Sequence, residues 1–214
     1  MARSSIVVMM GWNRVTRAAQ AATVAAAAGL VALVCIALFF TIGQPFGTLN
    51  DLALLVMTGA IAPMMLGSYE LGGVTPLWPA RFSLAAGIGA CLVWAVVQAA
   101  MIAGLVTFDY ETGGGTGAFL VENVALIVIG LWLAGAPLLA GPWLPTRPRW
   151  LGALSGVGFF LTGLGLILGG VDHPLTWIGG IGYQVLFPIW AWLVAGVFRA
   201  KAKAPLSPGP RPAG

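Results

Sequence analysis

A few polar side chains stand where an apolar chain has least use for them. Gln98 and Gln184 interrupt long greasy runs, with Trp94 and Tyr183 close by, and Glu122 and Asn123 follow the apolar start of another run. Indole, phenol, amide and carboxyl groups can bind a solute by hydrogen bonds, but they supply no nucleophile paired with a base. Counted at 1.5 Å per helical residue, Gln98 and Gln184 each lie some ~14 Å inside their segments. At that depth an unsatisfied amide costs several kcal/mol, so each demands a partner. Similar depth on two helices lets them share a polar pocket, with Glu122 and Asn123 at its mouth and Trp94 as a wall. They can also bond each other or a neighbouring helix as interhelical glue, worth about 0.6 kcal/mol on average. Glue ranks ahead of the pocket, and both readings stay open.

The remaining acids offer less. Asp51, Glu122 and Asp172 each fall near the start of an apolar segment, where the positive end of a helix stabilises a carboxylate by roughly 0.3–1 kcal/mol. A metal site would have to join Asp172 and His173 to Asp51, Asp109 or Glu111. His173 is the single histidine, and one imidazole among scattered oxygen donors makes no ligand set. His173 and Pro174 read instead as a helix start, and no metal or cofactor is expected. Glu70 sits at a segment end where the dipole disfavours it, and Arg81, across a short loop, is its expected ion-pair partner. Cys35 and Cys91 lie inside apolar runs and read as reduced, buried thiols. No phosphate-binding loop, dinucleotide fingerprint, zinc-protease motif or serine elbow is present, so no catalytic residue is assigned.

The elements that must position these groups follow from composition. Hydrophobic residues make up 59% of the chain and charged residues 7%, against about 25% charged in soluble domains; mean hydropathy is +0.97. Six segments reach the roughly 20 apolar residues a membrane crossing needs: 19–42, 50–71, 82–107, 119–140, 150–171 and 176–198. The expected fold is an all-α integral membrane bundle of six transmembrane helices in a single domain, 1–200, with a Pro-rich, disordered tail at 201–214. Every basic residue, from Arg3, Arg14 and Arg17 through Arg81, Arg147 and Arg149 to Arg199, Lys201, Lys203 and Arg211, then falls on one face. The positive-inside rule makes that face cytoplasmic, with both termini on it. The first segment is too long for the apolar core of a cleaved signal, about 7–15 residues, and reads as a retained anchor. The basic rim needs no nucleic acid to explain it, because anionic lipid suffices. The Pro-x-x-Pro at Pro205 and Pro208 reads as linker composition.

Two tight outer hairpins join spans. In the first, Gly43, Pro45 and Gly47 shape the turn, and Thr48 to Asp51 read as a variant capping box, with the Thr48 hydroxyl accepting from the next helix. The second is "DHPL". Gly152/Gly156, Gly165/Gly169 and Ala85/Gly89 are small-residue pairs for close helix packing or dimerisation. With "GQPFGTLND" ahead of one span and "DHPLTWIGGIGY" ahead of the last, the chain resembles a group of uncharacterised bacterial multi-span inner-membrane proteins. That resemblance implies a fold and no site. The ranked expectations are a structural or accessory component of the cell membrane whose partners are lipid, another membrane protein or a second copy; then a small-solute permease or binding protein using the polar pocket; then a membrane-embedded enzyme at Asp172 and His173.

Overall fold

The computed structural model describes residues 2–72, 78–106 and 117–203, with side chains from residue 14 onward. The expected partners Asp109 and Glu111, the side chain of Arg3, the basic residue Arg211, and the tail from residue 204 with its Pro205 and Pro208 lie outside what is described. Every described element is a helix: α1 (Ala2–Ile42), α2 (Phe46–Leu71), α3 (Trp78–Ile102), α4 (Gly117–Leu139) and α5 (Thr146–Gly169), then α6 (Pro174–Gly180) and α7 (Phe187–Lys203), joined by a π-helical turn, Ile181–Leu186. Short 3-10 turns at Gly141–Trp143 and Gly170–Asp172 flank α5. Six helices are long and apolar enough to cross a membrane, α6, the π turn and α7 together forming the sixth span. The last helix runs to Lys203, so the predicted tail begins later than residue 201.

Each span packs against its chain neighbours, as short hairpins demand, and α1 also lies against α7, which closes the six spans into a ring. α1 owes its fit to alanine. Val15, Ala18, Ala19, Ala22, Ala25, Ala26 and Ala32 form a buried stripe at helical spacing, and such small side chains let helices approach closely. Aromatic side chains fill the space between α5 and the sixth span. Phe159 meets Tyr183 with ring centroids 4.7 Å apart and Phe187 at 5.2 Å, while Phe187 meets Trp190 at 5.7 Å. On α5, Gly156 touches the α4 backbone: a Cβ there would stand 2.1 Å from the Ala134 nitrogen and 2.6 Å from the Gly130 oxygen. Gly158 does the same against the sixth span, 2.4 Å from the Gly182 Cα. These small residues therefore serve packing inside the bundle. By contrast, nothing lies within 4 Å of a Cβ built on Gly89.

Three local expectations are corrected. α3 ends at Ile102, not near residue 107, because Gly104 at φ 70° closes it: Gly104 N donates to the Met101 carbonyl and Leu105 N to the Ala100 carbonyl, each at 2.9 Å. This paired 5→2 and 6→1 pattern consumes the helix's last carbonyls. α2 begins at Phe46, so Thr48 sits within the first turn and caps nothing. Its amide and hydroxyl instead donate to Gln44 Oε1, both at 3.4 Å. Glu70 pairs with Arg14 of α1 rather than Arg81, which stands exposed at the start of α3. The hairpin of α1 and α2 brings those two residues to the same end, a neighbourhood that sequence distance hides.

Candidate functional site: a buried carboxylate between the third and fourth spans

Trp94 and Gln98 are one helical turn apart on α3 and therefore share a face. Glu122 lies on the antiparallel α4. Gln98 is four residues from the end of α3 and Glu122 five from the start of α4, which puts both about 6–8 Å below the helix ends. That match in level makes the contact. Gln98 Nε2 donates to Glu122 Oε1 at 2.7 Å, and Trp94 Nε1 donates to the same oxygen at 3.0 Å. All three are almost fully buried, with Trp94 2%, Gln98 3% and Glu122 5% exposed.

Because its NH₂ is committed to Glu122, Gln98 turns its Oε1 elsewhere, and that buried oxygen has no partner among the described residues. Asn50, on the neighbouring α2 and at the same end of the bundle, repeats the arrangement. Its Nδ2 donates to Asp51 Oδ1 at 3.4 Å, while its buried Oδ1 has no partner among the described residues. The unused atoms beside the two carboxylates are thus amide oxygens, which can accept hydrogen bonds and cannot give them; Thr162 Oγ1, the other buried atom without a partner in this half among the described residues, is a hydroxyl that can do either.

The expected pocket forms in part. Trp94, Gln98 and Glu122 come together, and Tyr183 joins as a wall, its ring 6.0 Å from that of Trp94. Asn123 does not contribute: it is 1% exposed and its Nδ2 donates back to the Phe119 carbonyl at 2.9 Å. Glu122 and Asn123 are interior residues and not the exposed mouth of a cavity. Gln184 is the clearest correction. It is half-buried and forms no hydrogen bond with Gln98 among the described residues. The early end of α3 lifts Gln98 well above the ~14 Å at which the two amides were matched, so the two do not meet, and Gln98 instead bonds a neighbouring helix through Glu122. The π turn contributes to the separation: its hydrogen bonds run i→i+5 where those of an α-helix run i→i+4, which rotates the side chains out of the α register, and here it is Tyr183, not Gln184, that is buried against Phe159.

α6 begins at Pro174, and His173 caps it, Nδ1 accepting from Leu175 N at 3.3 Å. Asp172 is exposed. Among the described residues no group of three or more His, Cys, Asp or Glu side chains gathers to hold a metal. Cys35 and Cys91 are free and buried. Sequence reasoning missed the indole–carboxylate bond, although Trp94 and Gln98 at i and i+4 was the signal that both face one way.

No family model, no curated protein and no solved structure matches the chain. The class that fold and composition define is a multi-pass membrane protein with six spans.

Proposed function

We propose that this chain is a solute-binding membrane protein of the permease type, with Glu122 as its anchoring anion and Gln98 Oε1 as a second acceptor. The ligand is a small molecule that carries an ammonium or another N–H donor. The observation behind this reading is a carboxylate buried inside a span, held by α3 and flanked by an amide oxygen without a partner. An ionisable residue inside a membrane helix is expensive to keep and marks a functional site by default. Acceptors without donors call for a donor.

The positive-inside rule places the face bearing Arg14, Arg81, Arg147, Arg149 and Arg199 in the cytoplasm, so Glu122 lies toward the opposite side. A bacterial inner membrane is the setting that the outer-hairpin resemblance supports. The test is a thermal-shift series on the purified full chain with ammonium, methylammonium and choline chlorides. Ammonium or methylammonium is expected to raise the melting temperature of the wild type and not of Glu122→Gln; choline, which has no N–H, is expected to do nothing. Equal responses from wild type and variant remove the reading.

The accessory-component reading has its own support. Ala85 is exposed and Gly89 faces open space on α3, a small-residue face that a helix from another membrane protein, or from a second copy, can enter. Purification in mild detergent decides it: a partner that leaves on Gly89→Leu while the bundle stays folded selects this reading.

A further inference from the structure

The pairing of Glu122 with an amide is repeated on α2. Asp51 and Glu122 each lie five residues past the first residue of their helices, Phe46 in α2 and Gly117 in α4, which puts both about 7.5 Å below the helix starts. Those two helices begin at the same end of the bundle, and α3 packs against each of them. Beside each carboxylate an amide donates to it and keeps its own oxygen unpaired among the described residues: Gln98 to Glu122 at 2.7 Å, and Asn50 to Asp51 at 3.4 Å. Gln98 is 3% and Asn50 6% exposed. The two units stand within electrostatic reach, since the Asp51 charge acts on Glu122. Glu122 is buried, whereas Asp51 keeps part of its surface open.

Charges taken out of water are held by opposite charges, and among the described residues no side chain does this here. Every described Lys and Arg stands at the opposite end, and His173 is engaged at the start of α6. What is left over is two negative charges and two amide oxygens without donors. A metal ion with bonds of about 2.0–2.6 Å would need both carboxylates in one shell. They stand instead on two helices that each pack on α3, and Glu122 Oε1 is already taken by two N–H groups. Nor do three His, Cys, Asp or Glu side chains gather among the described residues. Two separate anions, each with its own amide oxygen, match a ligand with two separate cationic heads.

We infer that the solute is a diamine, with one ammonium held by Glu122 and Gln98 Oε1 and the other by Asp51 and Asn50 Oδ1. This rests on the reading of Glu122 as the anchoring anion. The experiment titrates the purified full chain in non-ionic detergent, by calorimetry, with putrescine and with butylamine, which have equal carbon chains and differ by one ammonium. In the wild type putrescine is expected to bind roughly tenfold tighter, the scale of a hydrogen bond to a charged group. Asp51→Asn is expected to erase that difference, and Glu122→Gln to weaken both amines. Equal affinities in the wild type, or a putrescine advantage that survives Asp51→Asn, overturn the diamine and leave a site for one ammonium standing. Binding of neither amine overturns the Glu122 reading and the inference with it. Calcium chloride that binds more tightly than putrescine makes the cluster a metal site and overturns the inference too. If Asp51→Asn fails to fold, the wild type decides with N-acetylputrescine, which keeps the chain and loses one charge. It is expected to bind like butylamine, and binding equal to that of putrescine overturns the second anion.

Discussion

Replacing Gly156 with alanine separates what the structure shows from what a small-residue motif suggests. The new methyl would lie 2.1 Å from the Ala134 nitrogen and 2.6 Å from both the Gly130 oxygen and the Leu133 carbonyl carbon, all of them backbone atoms of α4. Ordinary contact begins at 3.4 Å, and no rotamer change relieves a clash with backbone. The helices must part along a seam that runs toward Glu122, and a radial gap of 0.5–1 Å already forfeits about a quarter to a half of each contact's attraction. Overpacking of this kind costs about 1–3 kcal/mol, up to a roughly hundredfold change in the folding equilibrium. The matched controls are Gly89→Ala and Gly135→Ala, where nothing lies within 4 Å. There alanine is expected to be neutral or stabilising by about 0.5–1 kcal/mol, through lost chain entropy in the unfolded state. The assay is reversible unfolding in mixed micelles of rising dodecyl sulfate fraction, followed by circular dichroism. If Gly156→Ala and Gly89→Ala unfold at the same fraction, the α4–α5 backbone contact is not what holds the fourth span.

Four further substitutions probe other links. Trp94→Phe keeps the ring against Tyr183 but removes the donor to Glu122, and is expected to cost about 1.5–3 kcal/mol in the same unfolding assay; Gln184→Leu, outside the cluster, is expected to change stability by less than about 0.5 kcal/mol. Arg14→Gln is expected to cost no more than about 1 kcal/mol, because the Arg14–Glu70 pair is half open to solvent, with side chains 54% and 30% exposed; an effect that survives high salt would contradict an exposed pair. A single cysteine at position 147 in a cysteine-free background is expected to react with a membrane-impermeant maleimide only after the cells are opened, and labelling of intact cells would reverse the orientation.

The spans were legible because lipid imposes a simple rule: every stretch that buries its own backbone bonds and offers apolar side chains becomes a helix. The arginine distribution and the small residues of α5 were legible for the same reason, since each is a local pattern. What the sequence hid were distances between helices and the ends of elements. Gly104 was visible, yet only its positive φ shows that α3 stops there, and that one turn moves Gln98 out of reach of Gln184 and level with Glu122. Arg14 in α1 and Arg81 in α3 both lie at the same end as Glu70, and the packing of α1 against α2 decides between them. The π turn has no local signature in the sequence, and it lies where Gly182 meets the Gly158 backbone. The unpaired amide oxygens of Asn50 and Gln98 were likewise invisible, since a missing partner is a fact about space.

The claim that a donor-bearing solute engages Glu122 is open to direct observation by infrared difference spectroscopy of the full chain, with and without methylammonium. A carboxylate stretching band that shifts in the wild type and is missing from the Glu122→Gln spectrum is the predicted result. Identical difference spectra for the two proteins would contradict it.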